Sequence, residues 1–192
     1  MRKIIIIGTG GQTISLIDVI ESNGNFEILG LIKKPNDKSV SIFGYETIGT
    51  DIDLPNIRKH CDLAAIGIGQ IKSPNLRMNI YSNLLRLNFT LPTIASSKSY
   101  ISKNSKIGNG TIIHHGAIIN AGAVVGDNCI INTKVLIEHG AEIGSHSHIS
   151  TNVIINGDVR VGDESFIGSG SIIYHGVNIP QSSIIKSGSI VR

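Results

Sequence analysis

From residue 101 onward, Ile or Val returns at every sixth position, at 101, 107, 113, 119 and so on to 191, sixteen times without a slip. Four residues after each of the first fifteen stands a small or β-branched residue, a series running from Ser105, Thr111, Ala117, Ala123 and Cys129 to Ser183 and Ser189. A period of six matches neither a helical stripe nor the two-residue alternation of a half-buried strand. It predicts a hexapeptide β-helix, a solenoid of short parallel strands stacked coil on coil. The large aliphatic residues fill the inside and the small ones fit the tight corners.

Residues 1–95 follow another rhythm. Ile4–Ile7 reads as a short buried strand, Gly8-Thr9-Gly10-Gly11 as a turn, and TISLIDVIES as a helix ended by Asn23-Gly24-Asn25. FEILGLI (26–32) is a second strand, followed by a turn-rich stretch around Lys33-Lys34-Pro35 and a short helix near 54–60. LAAIGIG (63–69) is a third strand, 74–87 a helix and TLPTIA (90–95) a last strand. Alternating strands and helices predict a small parallel α/β sheet. SSKSY (96–100) is the expected junction, giving a Rossmann-like unit over 1–97 and a β-helix over 98–192.

Composition narrows the function classes. The chain has 192 residues, 41% hydrophobic, with 22 glycines, no tryptophan and 4% aromatics, and a mean hydropathy of +0.18. Aliphatic stacking and tight turns suit those numbers. The net charge of +3 comes from dispersed Lys and Arg, so no nucleic-acid tract is expected. Cys61 and Cys129 have neither CxxC spacing nor the density of a disulfide framework, which points to a reducing cytoplasm. MRKIIIIGTG holds too short an apolar run for a signal segment or a membrane span.

The glycine turn is the first candidate site. Gly8, Gly10 and Gly11 lie between a strand and a helix, where backbone N–H groups can approach a phosphate. The dinucleotide fingerprint is incomplete, because Thr13 stands where its third glycine would fall. The acidic residue that would hold a ribose is also missing, since the second strand ends in Lys33-Lys34. An NAD enzyme is therefore disfavoured, and the glycines can also be read as only permitting a tight turn.

The repeats resemble the left-handed β-helix of hexapeptide acyltransferases, in which three hexapeptides make one triangular coil of 18 residues. Residues 101–190 would then give five coils. With the α/β half in front, the chain is similar to the NeuD/PglD family of sugar acetyltransferases. That resemblance implies that the N-terminal unit holds the sugar substrate, often its nucleotide part, through Gly8, Gly10, Gly11 and Gln12, with Gly67, Gly69 and Gln70 after the third strand. Family members that bind a UDP-sugar commonly carry acidic residues where Lys33 and Lys34 stand. Two cations there suit an anionic sugar or are simply solvated.

Three histidines crowd IEHGAEIGSHSHIS: His139, His146 and His148. Counted in 18-residue coils, Gly157 falls directly above His139, one strand spacing of roughly 4.8 Å away. INTKVLIEHG resembles the family's catalytic segment. The resemblance implies His139 as general base, Asn132 as a substrate contact, His148 as a contact near the acetyl group and the Gly157 N–H as oxyanion donor. Gly168, Ser169, Ser187 and Gly188 would line the pantetheine path. It also implies a homotrimer with acetyl-CoA between neighbouring prisms. PglD-type members have a glutamate directly after the base, whereas this chain has Gly140. Glu138, Asp158 or a backbone carbonyl would then have to orient the ring. His146 is expected to face solvent, and His175 to sit two coils above His139, roughly 10 Å away.

The acceptor is the hydroxyl of a sialic-type sugar, which the wording EHG (138–140) favours by its resemblance to the sialic-acid branch, or the amine of a nucleotide-linked amino sugar, which the glycine turn would suit. Two other readings stand beside the acetyltransferase. One is a non-catalytic assembly or regulatory β-helix. The other is a zinc enzyme of the β-helix carbonic anhydrase type. Zinc needs ligands converging at about 2.1 Å, and His139 and His148 fall on different faces, so no metal is expected.

Overall fold

A computed structural model describes all 192 residues. The first half begins with β1 (Arg2–Ile7), α1 (Gly11–Asn23) and β2 (Phe26–Lys33). A hairpin of β3 (Ser41–Ile42) and β4 (Tyr45–Thr50) follows, then α2 (Leu54–Ile57), β5 (Leu63–Ile66) and α3 (Asn75–Arg86). The sheet order is β3-β4-β2-β1-β5. All pairs are parallel except β3 with β4. β1 and β5 are buried on both faces, as continuous Ile and Ala runs require at the centre of a covered parallel sheet. Ile4, Ile6, Leu16, Ile17 and Ile20 form one core layer. Ile5, Ile7, Ile66, Leu84 and Leu91 form the other.

Three expectations for this half are corrected. The turn-rich stretch after Lys33 contains the β3–β4 hairpin, and β4 extends the sheet beside β2. The third strand stops at Ile66, because the next residues turn outward to form a cavity wall. TLPTIA is not a strand of this sheet. Thr90 makes one isolated bridge to Leu63, and Ile94–Ala95 pairs with Ile112–Ile113 instead.

Ile94–Ala95 is the first of seventeen two-residue strands, the last being Ile190–Val191. Every pairing among them joins residues 18 apart, as in Ile118 with Leu136 and Leu136 with Ile154. Three parallel sheets of six, five and six strands make the sides of a triangular prism. Its interior is one aliphatic column including Ile119, Ile137, Ile155 and Ile173, with Ala123, Cys129 and Ala141 at the corners, all buried. In each strand the second residue points in and the first points out, which makes the three sides chemically distinct. One side presents Ile94, Ile112, Ile130 and His148, all buried, and the α/β unit docks on it. The second presents Tyr100, Ile118, Leu136, Ile154, Ile172 and Ile190, none of them fully buried. The third presents Lys106, Val124, Glu142, Arg160 and Asn178.

No helix is long and apolar enough to cross a membrane.

Candidate functional site

The corner between the apolar and polar sides carries His139. It follows the strand Leu136–Ile137 and precedes Glu142–Ile143. One coil up the same corner carries Gly157, and two coils up it carries His175. Backbone bonds tie the levels together: Asp158 N donates to His139 O at 3.1 Å, and Gly176 N to Gly157 O at 3.0 Å. A methyl at position 157 would stand 2.8 Å from His139 Nε2 and 3.2 Å from His175 Nδ1. Glycine here is what lets the His139 ring lie over the peptide. The Gly157 N–H makes no hydrogen bond within the chain.

The other ring nitrogen, His139 Nδ1, lies 3.5 Å from Glu138 Oε2. That oxygen accepts a 3.0 Å bond from Asn120 Nδ2, one coil below. Of the three groups able to orient the ring, Glu138 is the one in position. Gly140 also has a local reason. Its φ is +68°, a region side chains avoid, and the Asp158 carboxylate fills the space a Cβ would need. Asp158 in turn faces His175 Nε2 at 3.7 Å. Imidazole, carboxylate and amide thus share one exposed corner, with His139 and His175 each about two-thirds open to solvent.

The remaining predicted residues are elsewhere. Asn132, Gly168, Ser169, Ser187 and Gly188 lie on the corner between the docked side and the apolar side, across the apolar face from His139. His148 is buried where the α/β unit meets the prism. Its Nδ1 donates to Gln70 O at 2.5 Å, and its Nε2 accepts from Asn132 Nδ2 at 3.3 Å. Gln70 belongs to the same seam, donating through Nε2 to His146 O at 2.7 Å. His146 does not face solvent as expected. It is half-buried, edge-on to Tyr81 at 5.5 Å, and accepts from Asn128 Nδ2. The repeat gave the turn position of His146 but not that another unit would cover it.

The seam gathers four of the seven histidines. His114 Nε2 meets Gln12 Nε2 at 3.0 Å. His115 bridges Ser96 Oγ at 2.5 Å and Asp18 Oδ2 at 2.6 Å. Arg77, fully buried, donates to Ile66 O, Ile68 O and Asn128 O, and burial lowers its pKa to about 10. Burial also lowers His114 and His148 to about 4, and His146 in the same direction. Cys129 is pushed up to about 12 by burial, an inert thiol. No group of three His, Cys, Asp or Glu side chains is placed to hold a metal ion. His139, His146 and His148 go to three different surroundings.

In the α/β unit, Gly8, Gly10, Gly11, Gln12, Lys33, Gly67 and Gly69 do converge, around a cavity of about 400 Å³. It opens at the start of α1, whose first turn has no side-chain cap, so its amide groups face the cavity as an anion site would require. Gly8 has φ +117°, and a Cβ there would meet Ile68 at 2.7 Å. The second strand does end without an acid, but an acidic group reaches the cavity from the loop beyond it. Asp37 folds back from the loop to accept a hydrogen bond from Thr9, and both face the cavity with Lys34 and Asp51. The hydroxyls of Thr9 and Ser39 hold the Asp37 carboxyl down at about 2. Lys33 is turned aside to Ser39 O at 3.1 Å.

Three family profiles match the chain: the PglD N-terminal domain over residues 3–84, the bacterial transferase hexapeptide over 98–139, and the hexapeptide repeat of succinyl-transferase over 158–192. A comparison with curated proteins returns no match. Among solved structures, a histidine-to-asparagine mutant of perosamine N-acetyltransferase from Caulobacter crescentus, in complex with CoA and GDP-perosamine, is 24% identical. The match covers 100% of this chain and 89% of that one, with a TM-score of 0.93. The acetyltransferase domain of PglB from Neisseria gonorrhoeae FA1090, in complex with acetyl coenzyme A, is 23% identical, covers 99% and 92%, and has a TM-score of 0.89. WeeI from Acinetobacter baumannii AYE is 16% identical, covers 98% and 94%, and has a TM-score of 0.72. These likenesses give the fold: a Rossmann-like α/β unit followed by a left-handed β-helix. The chain thus matches a PglD N-terminal domain followed by transferase hexapeptide repeats, the two-part organisation that its resemblance to the NeuD/PglD type implies.

Proposed function

We propose that the protein transfers an acetyl group from acetyl-CoA to the amine of a nucleotide-linked amino sugar. The observation that carries this reading is the His139–Gly157 pair: an exposed imidazole nitrogen beside a peptide N–H with no partner in the chain. His139 Nε2 takes the proton of the attacking amine, while Glu138 holds the opposite edge of the ring. The Gly157 N–H donates to the oxygen that becomes negative as the carbonyl carbon turns tetrahedral. The acceptor sits in the α/β cavity, its phosphates at the start of α1 and its polar groups against Thr9, Asp37 and Lys34. The solved relatives that bind CoA and GDP-perosamine or acetyl coenzyme A support this choice of substrates.

A homotrimer completes the site. His139 and Gly157 border one edge of the apolar face, and Gly168, Ser169, Ser187 and Gly188 border the other. A closed ring of three prisms with apolar faces inward brings one edge of each against the opposite edge of the next. Coenzyme A would run in that groove. The face exposes Tyr100, Ile118 and Ile190 at 58%, 41% and 57%, a contiguous apolar strip of the kind that marks an association surface.

Thiol release from acetyl-CoA, measured with GDP-perosamine and separately with free sialic acid, tests the reading. Release with the amino sugar and none with sialic acid is expected. Release with sialic acid alone would move the acceptor to a hydroxyl. A chain that gives no heat with acetyl-CoA in titration calorimetry would be an assembly rod instead.

A further inference from the structure

The corner that holds His139 holds a second imidazole. His139, Gly157 and His175 occupy successive levels of one column. The glycine lies between the rings, with His139 Nε2 and His175 Nδ1 both within reach of the space a side chain at 157 would fill. Those two nitrogens are no more than about 6 Å apart by that geometry. The far side of the His175 ring faces a carboxylate, Asp158 Oδ2, at 3.7 Å from Nε2. Each ring therefore has one nitrogen beside Gly157 and the other beside an acid, Glu138 for the lower and Asp158 for the upper.

The two levels are not equivalent, because the α/β unit packs closely on the lower part of the prism and only its 70–75 segment borders Ser182 and Ile184. On the docked side Ile94, Ile112, Ile130 and His148 are buried, but Ile184 near the top is 58% exposed. His139 lies in the coil of His148, level with the acceptor unit. His175 lies above it, where the prism is free to take a long ligand. In the proposed trimer, an acceptor delivered by a neighbouring subunit's α/β unit reaches Gly157 from the His139 side. A thioester lying along the upper coils reaches it from the His175 side.

Resting on the function proposed above, we infer that His175 is a second catalytic residue, the acid that protonates the departing thiol. The amine nitrogen bonds to the thioester carbonyl carbon and gives its proton to His139 Nε2. The carbonyl oxygen takes the electron pair and is held by the Gly157 N–H. When the pair returns, the carbon–sulfur bond breaks and the electrons go to sulfur. The His175 imidazolium supplies its Nδ1 proton to make the free thiol, and the neutral ring left behind keeps its Nε2–H toward Asp158. His139 then releases its proton to water and His175 regains one, so acetyl-CoA and amine yield amide and coenzyme A with no other reactant.

A ligand that differs only at sulfur reads this contact without needing the acceptor. Coenzyme A and desulfo-coenzyme A are titrated calorimetrically into wild type, His175→Asn and His139→Asn. Wild type is expected to bind coenzyme A about tenfold more tightly, the value of one hydrogen bond. His175→Asn brings the two ligands within twofold, and His139→Asn keeps the preference. Equal binding by wild type, or a preference that survives His175→Asn, overturns the assignment while leaving the acetyltransferase reading intact. Failure of wild type to bind either ligand removes both.

Discussion

The α/β unit and the prism are both filled with Ile, Leu, Val and Ala, yet they place their functional side chains by different rules. In the prism, position follows from number. Eighteen residues is one level, so His139, Gly157 and His175 share a corner because of their spacing. In the α/β unit, Thr9 and Asp37 meet across 28 residues of strand, helix and loop, and nothing periodic relates them. A repeat makes its surface as regular as its core. A single sheet leaves its cavity to the loops. The prism site is therefore insulated from the core that holds it up, whereas the cavity and its supporting turns are one structure.

That contrast can be broken most strongly at His139. Replacing it with Asn is expected to lower kcat by about 10² to 10⁴, with no change in melting temperature, because the side chain is 68% exposed. A fall in melting temperature alongside kcat would show that corner and core are coupled. One step away, Ile137 is fully buried in the column. Ile137→Ala should cost about 2–5 kcal/mol of stability. Ile154→Lys, on the outward apolar side, should leave the monomer's unfolding intact and split the proposed trimer. Denaturant melts and light scattering separate the two.

The seam between the units has its own signature in pH. His114 and His148 are held neutral in the fold, their pKa lowered by burial to about 4, whereas unfolded histidine titrates near 6.5. As pH falls, the unfolded chain takes up these protons first. Stability is full above about 6.5, declines between 6.5 and 4 and levels off below 4, by about 3 kcal/mol for each histidine. Replacing His114 with Gln should shrink that decline, read as melting temperature against pH. The smallest effect is expected from Gly157→Ala. Its methyl would stand 2.8 Å from an exposed ring, so the ring swings away and the fold survives. A loss of kcat of about tenfold to a hundredfold from the displaced imidazole, with the peptide N–H still in place and an unchanged melt, would confirm that the glycine is there for the imidazole.

The prism could be read closely from the chain, including the level of His139 below Gly157, because an 18-residue coil converts sequence distance directly into height. In the prism, the expectation that failed concerns surroundings rather than position. His146 was placed at the right turn and given the wrong neighbour, since no local signal says that Tyr81 will cover it. Ile94–Ala95 has the apolar character of either sheet, and only its pairing with Ile112–Ile113 assigns it to the prism.

The sequence by itself determined the two periods, and with them a βα half, a hexapeptide half and the column of chemistry on one corner. Period suffices there because each strand's inward residue must meet the one eighteen places away to leave water. Only the tertiary structure decided that the α/β unit would settle on one side of three, gather four histidines in the seam, bring Asp37 back to the glycine turn and leave the side with Tyr100, Ile118 and Ile190 uncovered. Those outcomes depend on how two finished surfaces fit together, and surface fit is carried by shape and by hydrogen-bond partners far apart in the chain, which no local pattern encodes.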